Sequence, residues 1–204
     1  WDENRHPRPE GGEQFEQKLL RHWHHDSQQQ LADLTPRDAP GLKRYRRVAG
    51  GALSTLIGRG LPVAADISYE RTTKEDRGTY IEIVGRVRNR RHREELPVAF
   101  FHPKEWNGQV VIWADPRGKQ SLYANDGSPQ TDIGRMLSAG MSIVGVDLLH
   151  QGEFLGGREP HNRTRRVANP RESAAYTFGY NHSLFAQRVH DLLTMVSFVR
   201  GHEE

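Results

Sequence analysis

Two short stretches hold the side chains best suited to chemistry. In "MSIVGVDLLHQGEFLGG" (141–157), five strand-like residues, Ser142 to Val146, run directly into Asp147, His150, Gly152 and Glu153. In "GQVVIWADPRGKQ" (108–120), the apolar run Val110–Trp113 is followed by Asp115, Pro116, Arg117 and Gly118. Carboxylates, an imidazole and glycines at the carboxyl end of an apolar strand mark the place where an open α/β sheet builds its ligand crevice. A third group, "RHWHHD", would bring His22, His25 and Asp26 onto one helical face, a donor set that can hold zinc. It has no further ligand pattern, so a surface cluster is the plainer reading and no metal is expected. There are no cysteines, which removes thiolate chemistry and disulfides.

Composition narrows the classes further. Lys and Arg number 29 against 26 Asp and Glu, giving a formal charge of +3 over 204 residues. The most basic run, "RVRNRRHREE" (86–95), ends in Glu94-Glu95 and has no interleaved aromatic residues. A solvated hairpin tip accounts for it more simply than a polyanion site on Arg86–Arg93, and nucleic acid is not expected as a partner. No apolar run approaches the ~18 residues that span a bilayer, so no membrane association is expected either. The mean hydropathy of −0.80 is low for a compact enzyme. The first 50 residues are mostly polar, and the convincing apolar elements lie in 96–200.

The elements that must position these residues follow from periodicity and punctuation. Residues 1–14 read as a flexible arm. Phe15, Leu19, Leu20, Trp23, Leu31 and Leu34 predict a helix over 15–34, ended by Thr35-Pro36. A second helical stretch in 41–62 is closed by Gly58, Gly60 and Pro62. Strands are predicted at 62–71 and 77–90, joined around "TTKEDRG", then at 96–103, and at Val110–Trp113 as a strand buried on both faces. A helix over 128–139 follows, with Ser128 as cap, Pro129 in its first turn and Gly140 at its end. The strand 141–147, a long polar loop to about 180 and a helix over 181–201 complete the chain. That last helix carries an apolar stripe of Phe185, Val189, Leu192, Val196 and Val199. Arg188, His190 and Asp191 in "QRVHD" are expected to anchor it by hydrogen bonds. Antiparallel strands leading into strand, helix, strand, loop, helix predict a mixed α/β sheet with a parallel βαβα part.

Taken together, "GQVVIWADPRGKQ", "MLSAG", "MSIVGVDLLHQGEF" and above all "YNHSLFAQRVHDLL" resemble the first half of an α/β-hydrolase, in its bacterial acetylxylan-esterase-like branch. The resemblance covers about 60–204. It implies a partial α/β-hydrolase fold over 62–204, after a flexible arm and helical extension over 1–61. It also implies a carboxylic-ester hydrolase acting without cofactor on a small-molecule or carbohydrate ester. In such a fold the loop after "VVIW" gives an oxyanion-hole N–H. Pro116 has none, so Asp115 or Arg117 would donate, although Trp113-Ala114 stands where the family commonly has His-Gly. Asp147, His150, Gly152 and Glu153 would line the substrate pocket, and "REPHNRTRR" (158–166) would be a lid or a solvated loop.

No serine of the chain stands in Gly-x-Ser-x-Gly, the turn that carries the nucleophile in this fold. The chain opens at Trp1 rather than Met and closes on "RGHEE", where the nucleophile strand is expected to begin. The expectation is therefore an amino-terminal half that lacks its triad. The missing half would be supplied in cis or as a second polypeptide, and strand 141–147 would have an unfilled neighbour. A non-catalytic domain of the same fold, with binding or scaffolding use, is the alternative. A polyanion-binding module is a more remote one.

Overall fold

The computed structural model describes residues 11–160 and 181–201. By internal contacts the chain divides into one unit ending at Thr55 and another starting at Leu56. Helices α1 (Gly12–Asp33) and α2 (Ala39–Ile57) occupy the start of the described chain. α2 falls in the second predicted helical stretch and α1 ends ahead of Thr35-Pro36, but α1 starts at Gly12, inside the stretch 1–14 read as a flexible arm, whose residues 1–10 lie outside the described residues.

The second unit is built on a five-stranded mixed sheet in the order β1-β2-β3-β5-β4. Its strands are β1 (Ile67–Asp76), β2 (Tyr80–Asn89), β3 (Glu94–Pro103), β4 (Val110–Trp113) and β5 (Ser142–Val146). β1, β2 and β3 form an antiparallel meander, β5 is antiparallel to β3, and β4 lies parallel to β5. This is the expected mixed α/β sheet, antiparallel strands leading into a parallel pair. "TTKEDRG" is not the first turn, because Thr72–Asp76 continue β1 through a bulge between Arg71 and Thr73. The turn is Arg77–Thr79, held by the Gly78 N–H donating to Asp76 Oδ1 at 2.8 Å.

Alternation along the strands builds two cores, one on each face. Val87, Leu96, Val98, Val144 and Val146 pack beneath Met195 and Phe198 of α4 (Leu184–Gly201). Ala99, Phe101 and Ile143 point the other way, against Leu122 and against Ile133 of α3 (Thr131–Ser138). β5 is buried at every position.

Several expectations are corrected. β4 is half-buried at all four positions rather than covered on both faces. β5 has neighbours on both sides, so the strand edges without a partner among the described residues are the outer edges of β1 and β4. α3 starts at Thr131, with Gln130 in the cap position. Ser128 is not the cap, because its hydroxyl donates to Asp126 Oδ1 at 2.6 Å within the preceding turn. Gly140, with φ 81°, does end the helix region. The side of α4 that faces the sheet is Ala186, His190, Asp191, Thr194, Met195, Ser197 and Phe198. The predicted stripe is half-buried at best, and Phe185 is 68% exposed. The reason is hydrogen bonding. Ser197 Oγ donates to Pro62 O at 2.8 Å, and the Asn89 amide donates to Thr194 Oγ1 at 3.2 Å. Buried polar groups with partners are tolerated, and a hydropathy pattern does not register them.

Phe101, fully buried on β3, tests this core. Phe101→Ala is expected to lower unfolding free energy by about 3–5 kcal/mol. Leu20→Ala, on exposed α1, should stay within about 0.5 kcal/mol. Denaturant titration of both variants checks the contrast.

Candidate functional site

The parallel pair β4 and β5 ends in two loops that meet at one carboxylate. The Asp147 N–H donates to Pro97 O at 3.0 Å, which extends the β3–β5 pairing one step past the strand. The Asp147 side chain is 1% exposed. Its Oδ1 accepts the Lys119 N–H at 2.8 Å, and its Oδ2 accepts Lys119 Nζ at 2.5 Å and the Glu153 N–H at 3.0 Å. Lys119 Nζ also donates to Glu153 Oε1 at 2.6 Å. The carboxylate thus ties the loop after β4 to the loop after β5.

Two glycines make room for it. A Cβ at Gly118 (φ +66°) would lie 2.1 Å from Asp147 Oδ1, and one at Gly152 (φ +48°) would lie 2.2 Å from Asp147 Cγ. Both backbones are also left-handed, a conformation that glycine adopts without steric cost. Of the four residues expected to line a pocket, Asp147 and Gly152 are therefore committed to this clamp. Glu153 is split between Lys119 and solvent. His150 is exposed, with φ 60°.

The oxyanion candidates lie on the β4 side of the clamp. The Arg117 N–H donates to Asp115 Oδ1 at 2.9 Å and the Gly118 N–H to Asp115 O at 2.9 Å. Arg117 would have to release the carboxylate before serving a substrate oxygen. Asp115 is the member of the pair whose amide is not used within the loop.

Helix α4 grips the β5 loop from behind. Arg188 Nε donates to Leu149 O at 3.0 Å, while the Leu149 N–H donates to Asp191 Oδ2 at 2.8 Å. Both backbone groups of one residue are thus held by side chains three apart on one helix. Burial pushes the Asp191 carboxyl up to about 6, against the opposing pull of the Leu149 N–H. His190 Nε2 meets Ile57 O at 2.6 Å, and burial lowers its pKa. The anchoring expected of "QRVHD" is what these three residues do.

Lys119 is the member of the site that sequence reasoning missed. Its only local signal is its place one residue past "DPRG"; its partner Asp147 is 28 positions away. The serines contribute no nucleophile at the strand carboxyl ends among the described residues. Ser142 pairs with His102 (Oγ to Nδ1, 2.6 Å), but it is buried and sits at the amino end of β5. A cleft of about 710 Å³ also lies near that end, with Tyr80, Lys104, Asn107 and Gly140 in its lining. On α1, His25 and Asp26 bond to Gln29 and Gln30. No described cluster of three His, Cys, Asp or Glu side chains could hold a metal. In the basic run, Arg88 is paired with Glu70 at 2.7 Å and Glu95 at 2.8 Å. The lid candidate 158–166 falls largely outside the described residues.

No family model matches the chain, and no curated protein sequence matches it. Among solved structures, it is similar to an acetyl xylan esterase from Paenibacillus sp. R4, with a TM-score of 0.44 and 12% identity. The match covers 76% of this chain and 46% of that one, so the chain spans less than half of that enzyme's length.

Two predictions arise from the clamp and its support. Lys119→Met leaves the Asp147 carboxylate buried without its cation, and should cost about 3–5 kcal/mol of unfolding free energy. Glu153→Gln, on a half-exposed side chain, should cost less than about 1 kcal/mol. Chemical denaturation of the two variants reads the difference. The second concerns Asp191. Its folded pKa lies above its unfolded one, so the native state binds the proton more tightly between about pH 4 and 6. Stability from this group is therefore lost as pH rises through that window and is level above it. Asp191→Asn keeps the acceptor for the Leu149 N–H. It should match the parent near pH 4 and exceed it by up to about 2–3 kcal/mol at pH 8, as measured by urea unfolding across pH.

Proposed function

We infer that this chain forms the amino-terminal half of a serine carboxylic-ester hydrolase acting on acetylated or otherwise esterified carbohydrate. The nucleophile would be supplied beyond Glu204, in cis or by a second polypeptide. One observation carries the reading: parallel β4 and β5 open at their carboxyl ends onto loops fixed to each other through Asp147. An open α/β sheet binds its ligand outside those strand ends. The resemblance of "YNHSLFAQRVHDLL" and its neighbours to the acetylxylan-esterase-like branch supplies the substrate class.

In this mechanism a downstream Ser attacks the ester carbonyl, and the tetrahedral oxyanion sits against the Asp115 N–H. Expulsion of the alcohol leaves an acyl-enzyme, which water releases. A pre-aimed donor of this kind is worth roughly 3–4 kcal/mol in the transition state. Asp147 positions the wall without touching substrate, while His150 and Glu153 would line the acyl or alcohol side.

A non-catalytic binding domain of the same fold is the second reading. It is favoured by the lack of a Ser–His pair at the strand carboxyl ends among the described residues. Two measurements decide between them. The purified 204-residue protein should turn over an activated acetate ester no faster than a heat-denatured control, whereas the chain extended by its native downstream sequence should hydrolyse it and react with a fluorophosphonate. Inhibitor-sensitive turnover by the 204-residue protein overturns the division of the site. A downstream sequence without Gly-x-Ser-x-Gly overturns the enzyme reading in favour of the binding domain.

A further inference from the structure

Helix α2 is amphipathic and exposed along its length. Its sequence, APGLKRYRRVAGGALSTLI, holds Lys43, Arg44, Arg46 and Arg47 and no aspartate or glutamate. At ~100° per residue, Leu42, Tyr45, Ala49, Ala52, Leu53 and Leu56 fall within one arc. Lys43, Arg44 and Arg47 fall on the opposite side, and Arg46 stands on the border between the two. None of the helix's residues is buried, and Leu53 and Leu56 are 52% and 73% exposed.

A single exposed leucine needs no explanation; an exposed apolar arc backed by a side whose only charges are basic does. Pairing with another helix is ordinarily steered by complementary charges flanking the apolar seam, and α2 has no acid to offer. The surface that complements both arcs at once is an anionic lipid headgroup layer over acyl chains. We propose that α2 is an interfacial helix that docks on an anionic membrane surface. Leu42, Leu53 and Leu56 enter the headgroup boundary, Arg46 reaches phosphate by snorkelling, and Lys43, Arg44 and Arg47 sit in the attractive surface potential. The contact is peripheral, since no described helix is long and apolar enough to cross a bilayer. Counting apolar runs leads to the opposite expectation, because such a count does not register how residues are distributed around a helix.

The test is co-sedimentation of the full 204-residue protein with vesicles of phosphatidylcholine alone, and with vesicles containing phosphatidylglycerol, at low and high salt. The proposal expects partitioning ~10-fold or more in favour of the anionic vesicles, weakened by salt. L53E/L56E and R44E/R47E, each shown by circular dichroism to keep the parent's helix and sheet content, should both lose it. Equal partitioning on the two vesicle types, or none on either, overturns it. Loss with R44E/R47E but not with L53E/L56E would mean a plain polyanion site and also overturns it. A concentration-dependent oligomer that L53E/L56E dissolves, with no vesicle binding, would assign the face to a second copy instead.

Discussion

The arrangement at the strand ends depends on the burial of one carboxylate. Asp147 is nearly sealed from solvent, and a buried charge is tolerable only when paired and hydrogen-bonded. The chain supplies what that requires from both sides: the backbone and ammonium of Lys119 from the loop after β4, and the Glu153 N–H from the loop after β5. The donors can approach because Gly118 and Gly152 present no Cβ to the carboxylate. One ion pair thereby sets the separation and angle of the two loops that any ligand at this end of the sheet must meet.

Helix α4 supports that clamp from the other direction. Arg188 and Asp191 hold the carbonyl and the N–H of Leu149, two residues past Asp147. The loop therefore takes its path from a helix face rather than from its own turn chemistry. The cost is a carboxyl group kept from water, whose proton affinity rises accordingly. A helix that spends part of its inward face on hydrogen bonds leaves apolar residues, Phe185 foremost, turned outward.

Strand order then decides where the sheet can grow. β5 is flanked by β3 and β4, so its apolar sequence is satisfied on both faces and both edges. β4 is short and half-covered, and its second edge has no partner strand among the described residues. Unpaired edges of apolar strands invite pairing with further chain. The proposed downstream half would meet the sheet at β4, beside the Asp115 loop.

Much of this was legible in the sequence. Alternation in 77–90 gave β2, short extended or apolar runs gave β3, β4 and β5, and Thr35-Pro36 and Gly140 marked the ends of α1 and α3. The break from apolar Ser142–Val146 to Asp147 located one wall of the candidate site. These are local signals, because side-chain alternation and backbone-restricting residues act within a few positions. What the tertiary structure alone decided is non-local. Lys119 and Asp147 become partners only when β4 and β5 lie side by side. The inward face of α4 is chosen by acceptors at Leu149, Ile57 and Pro62, which lie far from the helix in sequence. Spacing within one segment carries no record of such partners. Burial together with hydrogen bonding, rather than hydropathy alone, settles which face of an element turns inward.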